Sequence, residues 1–189
     1  MSLIVTIVLI MAVIVFLAGP ALETPLVTVG PDLRQEITTA CDRNDAETMA
    51  ELLSDDRRLV RAEVGSSWTP LHEAASAGSA SVAQVLLSCG ANPNDADRSG
   101  DTPLHEAARV GSVVVMRLLV AEGADVNVAD AAGDTPLHAA AIADEPRAVR
   151  FLLAHRADSG ARDVTGRTPL ECARRSHNKA AVRAFSDRG

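Results

Sequence analysis

Apolar and small residues recur along most of this chain at a fixed interval. Leu71, Leu104, Leu137 and Leu170 stand 33 residues apart. Small pairs follow at Ala74-Ala75, Ala107-Ala108 and Ala140-Ala141. Apolar residues then return at Val82, Val85, Leu86 and Leu87, at Val115, Leu118 and Leu119, and at Ala148, Phe151 and Leu152. Spacings of three and four residues put these side chains on one face of a helix. Each period therefore predicts two short helices and a loop.

The polar positions fix where the helices start and stop. Thr69-Pro70, Thr102-Pro103, Thr135-Pro136 and Thr168-Pro169 each set a capping hydroxyl ahead of a proline in the first turn. The hydroxyl accepts from orphan backbone N–H groups, and proline has no N–H to leave unpaired there. Gly78 and Gly111 end the first helix and Gly90 and Gly123 the second, where a positive φ suits glycine. Asp144 and Arg156 stand at glycine positions of the fourth unit. Each should cost about 1 kcal/mol if φ stays positive, making that unit the least regular.

The full motif reads TPLH at Thr69, Pro70, Leu71, His72; at Thr102, Pro103, Leu104, His105; and at Thr135, Pro136, Leu137, His138, with TPLE from Thr168, Pro169 and Leu170. With GA[DN]-x-N completing the period, most fully over Gly100–Asn127, the chain resembles the ankyrin repeat family, in the form of a small bacterial, membrane-anchored member. The resemblance implies an all-α solenoid of stacked helix-turn-helix units with hairpin-like loops, covering residues 33–189. Within it, 33–65 forms an N-terminal cap unit, 66–98, 99–131 and 132–164 form full repeats, and 165–189 forms a C-terminal cap unit. Polar substitutions mark both caps, such as Arg174 at an alanine position, as a stacked array requires.

Ahead of the repeats, Leu3–Leu22 is apolar apart from Thr6 and Gly19-Pro20. Twenty helical residues span about 30 Å, the thickness of a bilayer core. Residues 1–22 are therefore expected to form one N-terminal apolar helix, a single-pass anchor contacting the membrane through residues 3–22. A signal segment cleaved near Ala21 is the other reading, and would leave a periplasmic or secreted protein. Residues 23–32 read as an extended linker. The nearest basic residues, Arg34 and Arg43, lean only weakly to a cytoplasmic repeat domain, so sidedness stays open.

Composition narrows the chemistry. The net charge of −7 offers no basic surface for nucleic acid, and none is expected as a partner. Cys41, Cys89 and Cys172 lack metal-binding spacing and read as isolated thiols filling small sites. The three motif histidines sit one unit apart, about 10 Å in packed helices, too far to share a zinc whose ligands lie about 2 Å from it. They are expected instead to bond the threonine and nearby loop backbone. No metal, cofactor or catalytic residue is expected, and the chain does not read as an enzyme.

Function is then expected on a surface. The resemblance implies that a protein partner binds a concave face built from loop tips and exposed first-helix residues. By position these are Trp68, Glu73, Ser76, Arg98, Asp101, Glu106, Arg109, Val110, Ala132, Asp134, Ile142 and Arg167. Trp68 replaces Asp101, Asp134 and Arg167 of the sister units, and is either an exposed anchor or a plug over the first loop. A monomeric solenoid is expected.

Overall fold

The computed structural model describes residues 29–65 and 67–186. The expected membrane segment, most of the linker and Ser66 lie outside these residues. Ten α-helices form five consecutive pairs: α1 (Pro31–Asp42) with α2 (Ala46–Asp55), α3 (Pro70–Ser76) with α4 (Ala80–Ser88), α5 (Pro103–Arg109) with α6 (Val113–Ala121), α7 (Pro136–Ile142) with α8 (Pro146–Ala154), and α9 (Pro169–Arg175) with α10 (Lys179–Ser186). A 3-10 turn, Arg57–Arg61, follows α2. The first described helix begins at Pro31, two residues before the expected boundary, and Val29 is already buried.

Each first helix packs on the next first helix, and each second helix on the next second helix. The result is two parallel rows of helices, the stack expected of a repeat array. Small residues make the close approach possible. Ala74, Ala75, Ala107, Ala108, Ala140 and Ala141 are all fully buried between units. Leu71, Leu104 and Leu137 complete the core in register. A leucine-to-alanine change at such a site removes buried surface and leaves a cavity, about 2–5 kcal/mol.

The motif histidines do more than expected. In the first three TPLH units, the Thr backbone N–H donates to the ring Nδ1, at 3.2 Å for His72, 3.0 Å for His105 and 3.1 Å for His138. That acceptor role fixes the proton on Nε2, which donates to a carbonyl of the following unit. The acceptors are Asp101 O at 3.0 Å, Asp134 O at 3.1 Å and Arg167 O at 3.1 Å. Each imidazole thus ties its own helix start to its neighbour's loop. In the last unit Glu171 replaces histidine and accepts from Thr168 N at 2.8 Å.

The substituted glycine positions keep their left-handed backbone: Asn44, Asp144, Arg156 and His177 all have φ between 52° and 67°. Two of them gain a bond across units in exchange. Asp144 Oδ1 accepts from Ala181 N at 2.8 Å, and Asn44 Oδ1 from Ser81 N at 2.9 Å. The fourth unit keeps the helix lengths of its sisters, seven and nine residues. Its irregularity is confined to φ.

Candidate interaction face

The loops before each first helix are organised by an aspartate the motif does not advertise. Asp97 Oδ1 accepts from Ser99 N at 2.8 Å and Asp101 N at 3.0 Å. Asp130 Oδ1 does the same for Ala132 N and Asp134 N, both at 2.8 Å. Asp163 Oδ1 serves Thr165 N at 2.8 Å and Arg167 N at 2.9 Å. These bonds hold the Asp163 carboxyl well below the usual range, led by the Thr165 hydroxyl. A glycine then turns the chain, and at Gly133 a Cβ would meet Val164 N at 3.0 Å. Adjacent tips join through Ala131 N to Ser99 O at 2.8 Å and Val164 N to Ala132 O at 2.9 Å. The 33-residue recurrence of Asp97, Asp130 and Asp163 is visible in the sequence, five places before each threonine.

The first loop is built differently. Val64 occupies the aspartate position and is buried. Its N–H donates to Trp68 O at 2.7 Å, and Gly65 and Ser67 both take positive φ. Trp68 is half-buried, its ring stacked on His72 with centroids 6.2 Å apart. Its indole N–H donates to Asp97 Oδ2 at 3.1 Å. The tryptophan therefore bridges the first two loop tips while keeping part of its ring in solvent.

A family model described as ankyrin repeats (3 copies) matches residues 37–130 and 117–189. The chain belongs to the ankyrin repeat family. No curated protein matches it at a significant level. Ankyrin repeats are generally protein–protein interaction modules, and the family is generally non-enzymatic. None of the described helices is long and apolar enough to cross a membrane.

On the loop side of this ankyrin array, the exposed positions fall into three kinds. Arg98, Arg109 and Ala132 are exposed; Glu73, Ser76, Asp101, Asp134 and Arg167 are half-buried. Val110 and Ile142 are apolar yet 43% and 45% exposed. Glu106 departs from expectation: it is buried, at 4%. Its carboxylate pairs with the Arg109 guanidinium, which also reaches Asp101 Oδ1 at 3.3 Å. Glu106 therefore holds Arg109 in place and offers no surface itself.

Between α5 and α7 these residues enclose a cleft of about 310 Å³, lined by Asp101, His105, Arg109, Asp130, Asp134, Ala139, Ile142 and Ala143. Among the described residues, Asp134 Oδ1 is buried there without a hydrogen-bond partner. Burial pushes the Asp134 carboxyl up. Burial likewise lowers the His72 and His105 rings below the usual histidine range. A neutral imidazole bonded on both sides is neither a base nor a ligand in waiting. Burial also pushes the Cys41 thiol up to about 12, with Glu73 and Asp42 adding to the effect, so its reactive thiolate is not formed near neutrality. All three cysteines are free and buried.

Proposed function

We infer that this protein is a non-catalytic adaptor that binds a partner protein on the loop side of its helix array. The cleft between α5 and α7 is the observation that carries this reading. It sets exposed Ile142, with Ala139 and Ala143, beside the half-buried carboxylates of Asp101, Asp130 and Asp134, the mixture of apolar floor and charged rim that protein contacts use. Trp68, Arg98 and Arg167 extend the same surface along the loop tips. Residues 3–22 tether the array to a membrane, which raises the effective concentration of any partner sharing that surface.

A photo-crosslinking side chain placed at Ile142 is expected to capture the partner in cells. The same group at Val114, 58% exposed but on the second-helix row, is expected not to. Equal capture from both positions would remove the loop-side assignment. Tethering is tested apart from this by sequencing the mature N-terminus, where loss of residues 1–21 would replace an anchor by a cleaved signal.

A further inference from the structure

Charge is unevenly placed along the array. Residues 1–145 carry twenty-one acidic and eight basic side chains, whereas residues 146–189 carry four acidic and ten basic. The net −7 is what remains of a strongly polarised molecule. Such a separation creates a field that orients approaching charged surfaces before contact.

The polarity is carried onto the two end units. On the first, a groove of about 360 Å³ is lined by Asp32, Glu36 and Asp45, with Arg43 the one cation among its lining residues. On the last, a groove of about 320 Å³ is lined by Arg174, Lys179 and Arg183, with His177, Asn178 and Val182, and no acid. Among the described residues, Arg174, Lys179 and Arg183 enter no ion pair.

Register shows which way the basic groove faces. Arg174 is equivalent to Ala75, Ala108 and Ala141, and Val182 to Ala83, Met116 and Val149. All six of those residues are fully buried. Arg174 is exposed and Val182 half-buried, although the preceding unit is in place. The part of the basic groove around Arg174 and Val182 is therefore the surface that a following unit covers elsewhere in the array, and Arg183 stands at its edge, where Gln84, Arg117 and Arg150 are exposed.

We propose that the basic end face of one copy, α9 with α10, docks on the acidic end face of a second copy, α1 with α2. Opposite charge across grooves of similar size, on a face shaped to receive a two-helix unit, favours a second copy as occupant. The two partners use different surfaces, so each complex keeps one free end of each sign and the contact can propagate. Exposed ion pairs are individually weak, which makes the association reversible and salt-sensitive. A monomer in equilibrium with head-to-tail chains replaces the expected simple monomer. The contact is independent of the cleft between α5 and α7.

Sedimentation velocity of the full chain, held in solution by a non-ionic detergent, tests this. At low salt, where charges act over about 30 Å, larger species should appear as protein concentration rises; near 1 M salt, where the reach is about 3 Å, they should dissociate. The double variants Lys179→Glu/Arg183→Glu and Asp32→Lys/Glu36→Lys should each weaken association about tenfold or more. Each variant alone carries two ends of like charge, so mixing the two in equal amounts should restore association, with opposite charge back at both contacts between unlike copies. If a charge-reversed variant loses its helical circular dichroism, Lys179→Gln/Arg183→Gln serves in its place, with a smaller loss. A wild-type chain that stays monomeric at low salt, or a mixture that fails to pair, would overturn the proposal. Flotation separates the lipid alternative: a preference for phosphatidylserine over phosphatidylcholine vesicles that Lys179→Glu/Arg183→Glu abolishes, without self-association of the wild type, would assign the basic face to a membrane and overturn the proposal equally.

Discussion

Two kinds of loop open the first helices of this molecule, and they are held by different forces. The loops at 97–101, 130–134 and 163–167 each have an aspartate bonding two backbone N–H groups from within. Each also receives a histidine N–H from the unit before. The loop at 64–68 has neither. Val64 stands where the carboxylate would be, and Thr38 and Thr39 occupy the matching stretch of α1, where no histidine is available. Apolar burial of Val64 and the indole bond of Trp68 take over. The difference teaches that the same hairpin can be templated by polar bonds or clamped by a side chain, with different sensitivities.

Replacing the template should have the largest effect. Asp130→Ala removes two charge-assisted bonds and leaves two N–H groups to find water, a loss of about 3 kcal/mol. Val64→Ala, which only trims a buried side chain, should cost about 1 kcal/mol. Urea unfolding of the two variants compares them directly, and equal losses would erase the distinction between the loops. Next in size is Gly133→Ala. Its φ of 76° and the 3.0 Å approach of Val164 N make about 2 kcal/mol the expected cost. Gly123→Ala, with φ of 90° but open space around it, should cost about 1 kcal/mol.

Acidification separates the loops by charge. Below the ordinary histidine value of about 6.5, the unfolded chain binds protons that buried His72 and His105 resist. Stability therefore falls as pH drops from about 7 towards their lowered folded values. A second fall follows below about pH 4, as Asp56, held down at about 2 by Arg58, and Asp163, held lower still, are forced to protonate. Glu73 and Asp134, raised by burial, oppose this second fall in part. Urea midpoints at a series of pH values should show both stages, and His105→Gln should shrink the first.

Smaller effects probe the clamp. Trp68→Phe keeps the ring and loses the bond to Asp97, a cost of about 1 kcal/mol. Trp68 is the chain's one tryptophan, so its fluorescence reports the first junction alone. Quenching by a soluble reagent should rise in Asp97→Asn more than in Asp130→Asn. Smallest, and opposite in sign, Arg156→Gly should stabilise by about 0.5 kcal/mol, because Arg156 holds a φ of 67° with its side chain exposed.

How much of this was legible in the sequence follows from what recurs. TPLH and the alanine pairs lie within one unit, so their spacing predicted the helices, their order and the stacking. Asp97, Asp130 and Asp163 recur just as regularly, yet an aspartate in a loop looks like any solvated charge until its acceptor role is seen. The reach of His72 to Asp101 crosses a unit boundary that spacing along one chain does not reveal. Position on the first helix places Glu106 among the exposed residues, beside its repeat equivalent Glu73. Its burial and its pairing with Arg109 are three-dimensional facts.

Glu171 changes what one unit asks of the next. A motif histidine carries a proton that its own helix cannot use, and so demands an oxygen from a successor. A carboxylate at the same place closes the helix start with acceptors alone and asks for nothing beyond it. One change of side chain, from donor to acceptor, turns a unit that needs an oxygen from its neighbour into one that does not.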